Sequence, residues 1–172
     1  MDKLISTTIL FITNAELGQS SVVLAVAGEL AADDASDVHI ASFAGLKDLV
    51  PPEITFHPLR GSSMKDAFAQ RGLEFFPRHP AGVQGALQSY RELLPALMAP
   101  WETDEYLAIY DHCVSLIEEL RPHAVVVDPL LGPAIDACST LHRRYIVLSP
   151  GTFKDHVVNM QPRLEVLWKY PV

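Results

Sequence analysis

Asp128 directly follows the apolar run Ala124-Val125-Val126-Val127. A carboxylate at the end of a buried strand needs hydrogen-bonding partners or a chemical role. Two uses compete for it: a cap on the helix that follows, with Pro129 at the first helical position, or a place in a ligand site. A second polar cluster, Thr13, Asn14, Glu16, Gly18, Gln19 and Ser20, follows the block Ile9-Leu10-Phe11-Ile12, and a third, Ser149-Pro150-Gly151-Thr152, follows Tyr145-Ile146-Val147-Leu148. Gly18, Gln19 and Ser20 also read as an ordinary helix start. Phe75, Phe76, Met98, Trp101, Tyr106 and Trp168 could line an apolar pocket, or could simply pack as core.

Many other chemistries lack their residues. The chain contains no G-x-G-x-x-G, no P-loop lysine pattern and no G-x-S-x-G elbow, which removes the usual sequence support for dinucleotide binding, phosphoryl transfer and esterase activity. Its seven histidines show no metal-ligand spacing, so no metal is expected. A hydrolase using Asp128 with His156 or Ser149 would need a geometry that sequence does not supply, and ranks last. The formal charge of −8 and the absence of a basic run argue against nucleic acid as a partner. Cys113 and Cys138 sit in apolar helical patterns without paired spacing and are expected as buried free thiols, which fits a reducing, cytoplasmic location. No segment reaches the roughly 18 apolar residues of a membrane span.

The elements that must position the three polar clusters follow from periodicity. With 172 residues, 49% of them apolar, the chain can close a sizeable core. The three apolar blocks are continuous rather than alternating, as in parallel strands covered on both faces. Helical periods separate them: Val22, Val26 and Leu30; then Tyr106, Ile109, Cys113, Leu116 and Leu120; then Leu131, Ile135 and Cys138. Weaker strands are expected at 38–43 and 54–59. The order describes an α/β fold, a parallel sheet flanked by helices of the doubly wound kind, whose ligands bind beyond the carboxyl ends of the strands. The stretch 58–82, rich in Pro and Gly, reads as one long loop, functional or mobile. The apolar and aromatic tail 162–172 reads like an interrupted fold.

Taken in order, Ile9 to Gln19, the Leu24-Ala25-Val26-Ala27 helix, Val38 to Phe43, Val125 to Pro129 and Leu148-Ser149-Pro150 resemble the amino-terminal half of UDP-glycosyltransferases. The Ser62-Ser63-Met64 loop and the closing Leu167-Trp168-Lys169-Tyr170-Pro171 add to the likeness, which spans nearly the whole chain. The resemblance implies a GT-B architecture of two Rossmann-like domains, with residues 1–172 forming one incomplete acceptor-binding domain and the UDP-sugar-binding domain absent. It implies a small lipophilic hydroxyl acceptor, a UDP-sugar donor used by the full-length family, no cofactor held by this chain, and a C-terminal donor domain as a possible partner. In that family a Gly-His pair after the first strand supplies the base, and an Asp ending a later strand orients it. Asp128 matches the Asp, but Gly18 is followed by Gln19. Asn14, Glu16, Phe75, Phe76, Trp101 and Ser149 are the acceptor-binding candidates on the same analogy. An amide has no useful basicity, so the chain alone is expected to transfer no sugar. The alternative is a non-catalytic module that binds a small ligand or docks a partner.

Overall fold

The structure, a computed structural model, describes residues 7–33, 35–73 and 79–151. Phe75, Phe76, His156, Trp168 and the 162–172 tail lie outside the described residues, as does the side chain of Met98. Five parallel strands form one sheet: β1 (Thr7–Ile12), β2 (Ser36–Ser42), β3 (Thr55–Pro58), β4 (Ala124–Val127) and β5 (Ile146–Val147), in the order β3-β2-β1-β4-β5. All four pairings are parallel. The connections from β1 run outward in both directions, so the sheet is doubly wound and its switch point lies between β1 and β4.

The helices are α1 (Leu17–Ala31), α2 (Met64–Gln70), α3 (Val83–Met98), α4 (Thr103–Leu120) and α5 (Gly132–Thr140), with a 3-10 turn at Ala44–Leu49. Side-chain alternation along the strands sorts the core into two layers. Phe11, Val38, Ile40 and Val126 pack with Val23 and Ala27 of α1. Leu10, Ile12, Val125 and Val127 face the other way, against Phe68 of α2 and Ile109, Cys113 and Ile117 of α4, with Ala134 and Cys138 of α5. Both faces of β1 and β4 are covered, as their unbroken apolar runs imply; the third run differs, because β5 is an edge strand whose Ile146 and Val147 are exposed. Cys113 and Cys138 are buried and unpaired, and burial pushes their thiols up to about 12 and about 11, respectively. Neither supplies a ready thiolate at neutral pH.

Three local expectations change. The 58–82 stretch contains a helix, α2, started by Ser63, whose Oγ accepts from the Asp66 N–H at 3.2 Å. Its Ser-x-x-Asp spacing is a capping signal that the surrounding Gly and Pro obscured. Helix α3 was not anticipated: it contains Gly85 and Pro95, residues that disfavour a helix interior, and its Val83, Leu87 and Tyr90 are exposed. Asp128 does not cap α5. That helix begins at Gly132, with Leu131 in the cap position and a proline in its first turn.

Candidate functional site at the carboxyl rim of the sheet

The described chain places Asp128 at the switch point. Its backbone N–H donates to Ile12 O at 3.0 Å, continuing the β1–β4 ladder by one bond. Its carboxylate is buried, and both oxygens are engaged. Oδ2 accepts from Thr13 Oγ1 at 3.3 Å, from the Asn14 backbone N–H at 3.2 Å and from Asn14 Nδ2 at 3.2 Å, while Oδ1 accepts from the Leu130 N–H at 2.9 Å. Asp128 therefore ties the loop after β1 to the loop after β4 and turns the chain toward α5. This local turn, an Asx-type bond to the residue two positions on, takes the place of the cap expected from sequence.

Beyond that tie, the chain from Ala15 to Gln19 forms one wall of an open cavity of about 1000 Å³. Phe43 and the turn after it, the 61–66 segment, Leu97 of α3 and Leu130 complete the lining. Glu16 reaches across: its Oε1 accepts from the Lys65 N–H at 2.7 Å, joining the start of α1 to the start of α2. Its carbonyl oxygen accepts from the N–H groups of Gln19 and Ser20 and from Ser20 Oγ, which fixes the first turn of α1. Glu16 Oε2 and Gln19 Oε1 are buried and accept no hydrogen bond from the protein. Among the described residues no hydrogen bond joins Gln19 to Asp128, although both occupy the same rim.

The opposite wall depends on Gly61. Its φ of +89° favours glycine, and a Cβ there would meet Glu105 Cγ and Ile109 Cγ1 at 3.2 Å. Glu105 Oε1 accepts from the Ser62 N–H at 2.7 Å, and Trp101 Nε1 donates to Ser62 O at 2.9 Å. Trp101 also stacks on Phe43, with ring centroids 6.1 Å apart. Trp101 is buried behind two lining groups and does not itself line the cavity. Asn14 likewise sits behind the wall, on Asp128. Ser149 is half-buried, and its Oγ accepts from the Gly151 N–H at 3.1 Å. Phe43, Leu97 and Leu130 are lining residues that the sequence reading missed. Each resembles an ordinary core residue in sequence, and only the approach of distant segments opens space beside it.

A second hollow, about 710 Å³, lies at the amino rim, where Arg121, His123 and Arg143 stand near the carboxyl ends of α4 and α5. Its basic groups already have structural work: Arg143 Nη2 donates to Pro122 O at 2.8 Å, and His123 Nδ1 accepts from the Thr8 N–H at 3.1 Å. Cations near helix carboxyl ends offset the helix dipole without any ligand. The carboxyl rim, where the fold places ligands, is the stronger site. Among the described residues no three His, Cys, Asp or Glu side chains form a group that could hold a metal ion, and no helix is long and apolar enough to cross a membrane.

No family model matches the chain. The glycosyltransferase sdnJ of Sordaria araneosa is 33% identical over 186 aligned positions, which cover 95% of this chain and 36% of that protein. Among solved structures, SsfS6, a glycosyltransferase of Streptomyces sp. SF2575, superposes with a TM-score of 0.59 at 17% identity, over 82% of this chain and 38% of its own. The spinosyn rhamnosyltransferase SpnG, in a complex with thymidine diphosphate, gives 0.55 at 15% identity over 82% of this chain and 34% of its own. A glycotransferase of kitacinnamycin gives 0.55 at 17% identity over 96% of this chain and 36% of its own. The chain thus spans little more than a third of the proteins it matches. The doubly wound sheet, its carboxyl-rim cavity and this likeness together show that the chain has the fold of one Rossmann-like half of the GT-B glycosyltransferases and is similar in sequence to about a third of one glycosyltransferase.

Proposed function

We propose that residues 1–172 form the acceptor-binding, amino-terminal half of a UDP-glycosyltransferase-like protein, which holds a lipophilic alcohol while a separate half supplies a UDP-sugar. The observation that carries this reading is the cavity of about 1000 Å³ at the carboxyl rim, whose largely apolar wall includes Glu16 and Gln19. Such a cavity suits an apolar body with a polar end. In the transfer itself, a bond forms between the acceptor oxygen and the sugar's anomeric carbon, the bond from that carbon to the diphosphate breaks, and the hydroxyl proton must leave. Gln19 occupies the position of the family base, and its amide can orient the hydroxyl without removing the proton. Asp128 acts as a positioning residue, since its oxygens are engaged by Thr13, Asn14 and Leu130. Groups that stabilise the departing diphosphate belong to the other half by analogy.

On this reading the isolated chain transfers no sugar. Incubation with UDP-glucose and a panel of lipophilic alcohols, followed by mass spectrometry, checks this; glycoside forming well above the buffer rate would overturn it. A chimera carrying the remaining part of sdnJ after this chain tests the role of position 19. There Gln19→His is expected to raise the transfer rate by about 10²- to 10⁴-fold, the usual contribution of a positioned general base. A second reading, a ligand-binding module without catalysis, is favoured by the same two facts, an amide at position 19 and a fully engaged Asp128. It predicts that Gln19→His changes nothing in the chimera, while lipophilic alcohols still raise the melting temperature of the isolated chain.

A further inference from the structure

Trp101, just before α4, and Glu105, Ile109 and His112 within it hold the chain from Arg60 to Ser62 in place. The three helical residues are four and three positions apart and so share one face of α4. Ser62 is gripped twice, its N–H donating to Glu105 Oε1 at 2.7 Å and its carbonyl accepting from Trp101 Nε1 at 2.9 Å. Gly61 lies so close to Glu105 and Ile109 that a Cβ would meet both at 3.2 Å. Arg60 completes the row, its N–H donating to His112 Nδ1 at 3.1 Å. Gly61 and Ser62 line the rim cavity, whereas Trp101, Glu105, Ile109 and His112 do not. The wall is therefore set from behind.

The Arg60 contact differs in kind from the two at Ser62. A ring nitrogen accepts a hydrogen bond only while it carries no proton, and an imidazolium donates from both nitrogens. Protonation of His112 turns Nδ1 into a donor facing the Arg60 N–H and adds a positive charge beside the Arg60 guanidinium. Burial first, then Arg60, hold the ring below the usual imidazole range, so it is an acceptor at neutral pH. Besides Arg60, its charged and titratable neighbours are His57 of β3, which is paired with His39 of β2, and Asp111 and Glu119 on α4 itself. The groups from the other packed helices are engaged elsewhere on α4: Asp136 of α5 accepts from Tyr106 Oη at 2.6 Å, and Arg71, just after α2, pairs with Glu102 at 3.4 Å.

We propose that His112 is a positioning residue for the cavity: while neutral it holds Arg60, and through Arg60 the Gly61–Ser62 wall, and on protonation it releases that wall, so that ligand affinity falls in mildly acidic solution. The effect on a ligand rests on the acceptor-binding reading; the hold on Arg60 does not.

Nuclear magnetic resonance on the nitrogen-15-labelled full chain, titrated from about pH 8 to about pH 5.5, tests the hold without a ligand. The His112 ring, the Arg60 and Ser62 amides and the Trp101 indole N–H are expected to shift with one midpoint below about pH 6.5, while the Leu10 and Val125 amides of the sheet stay level. His112→Gln offers an oxygen that accepts from Arg60 at every pH and should abolish the shared shift; His57→Gln should leave it in place. Isothermal titration calorimetry with 4-phenylbutan-1-ol should give a Kd about two- to tenfold weaker at the acid end than at the neutral end, as fits the loss of about one hydrogen bond, and a level Kd in His112→Gln. A shift at Arg60 that does not reach Ser62 or Trp101, or one that persists in folded His112→Gln, would overturn the proposal. Should that variant not fold, wild-type amides that follow the His57 ring rather than the His112 ring would overturn it equally. Unchanged affinity while the wall signals move would remove His112 from the positioning role. Absence of binding at both ends would count against the acceptor-binding reading, with the hold on Arg60 still decided by the amide signals.

Discussion

Two carboxylates occupy the same rim of the sheet and behave differently. Asp128 is buried at the β1/β4 switch point, and both its oxygens are engaged, by Thr13, Asn14 and Leu130. Glu16, one loop away, uses a single oxygen to bind the start of α2 and leaves the other beside the cavity without a protein donor. The first holds two strand ends together with every oxygen engaged, and the second joins two helix starts with one oxygen only. In a sequence, the carboxylate after a Val-Val-Val run attracts attention because burial makes it expensive. That cost is offset by local donors, which makes Asp128 a framework group, whereas the less conspicuous Glu16 keeps one buried oxygen without a donor from the protein.

The sharpest way to break this contrast is to remove each carboxylate and measure stability by urea unfolding. Asp128→Ala leaves four donor contacts without their acceptor in a buried junction and is expected to cost about 3 kcal/mol or more. Glu16→Gln keeps an acceptor for the Lys65 N–H and should cost less than about 1 kcal/mol. Equal losses from the two would end the distinction between a fully engaged carboxylate and a partly engaged one. A smaller effect is expected at the far wall, where Gly61→Ala must adopt a left-handed φ and press on Glu105 and Ile109. A loss of about 1–2 kcal/mol in the same assay is anticipated, together with weaker ligand binding as the Ser62 segment shifts.

The smallest effect separates the rim from the sheet's β3 edge. There His39 Nδ1 and His57 Nε2 lie 2.9 Å apart with the rings stacked, and Asp37 Oδ2 is 3.2 Å from His39 Nε2. The pair is joined by one shared hydrogen bond, which requires an N–H on one ring and a lone pair on the other. Burial first, then the neighbouring His39 and His112, hold His57 below the usual imidazole range, against a raising influence from Glu119. Burial and Arg60 likewise lower His112, whose Nδ1 accepts from the Arg60 N–H at 3.1 Å. The unfolded chain therefore takes up protons at about pH 6.5 while these folded imidazoles remain neutral. Stability should be level above that pH with respect to these groups and decline as pH falls below it. Urea midpoints between pH 7.5 and 5.5 measure this, and His57→Gln should flatten the slope.

Much of the framework was legible in the residue order. Continuous apolar runs placed β1, β4 and β5, and the three-four spacing placed α4 and α5 with their buried faces, because elements covered by a core carry their periodicity in the chain; β5 is nevertheless exposed, and α1 was placed with the wrong face, since it buries Ser20, Val23 and Ala27 while Val26 is exposed. Asp128 was singled out for the correct physical reason, its burial, but its capping role was misplaced: the loop inserts a turn before Gly132, and local donors settle such turns more than propensity does. Helices α2 and α3 escaped notice for different reasons. The first is short and set among Gly and Pro, and the second contains Gly85 and Pro95, which read as helix breakers in the sequence.

What the residues alone determined is the class of architecture, because apolar periodicity is a property of single positions and their neighbours. Only the folded chain decided which polar groups are engaged and which face a cavity. Asp128 meets Asn14 across 114 positions, and Glu16 meets Lys65 across 49. Hydrogen-bond satisfaction depends on partners brought together by strand order and loop closure, so whether a carboxylate serves the framework or a ligand is a property of the tertiary structure.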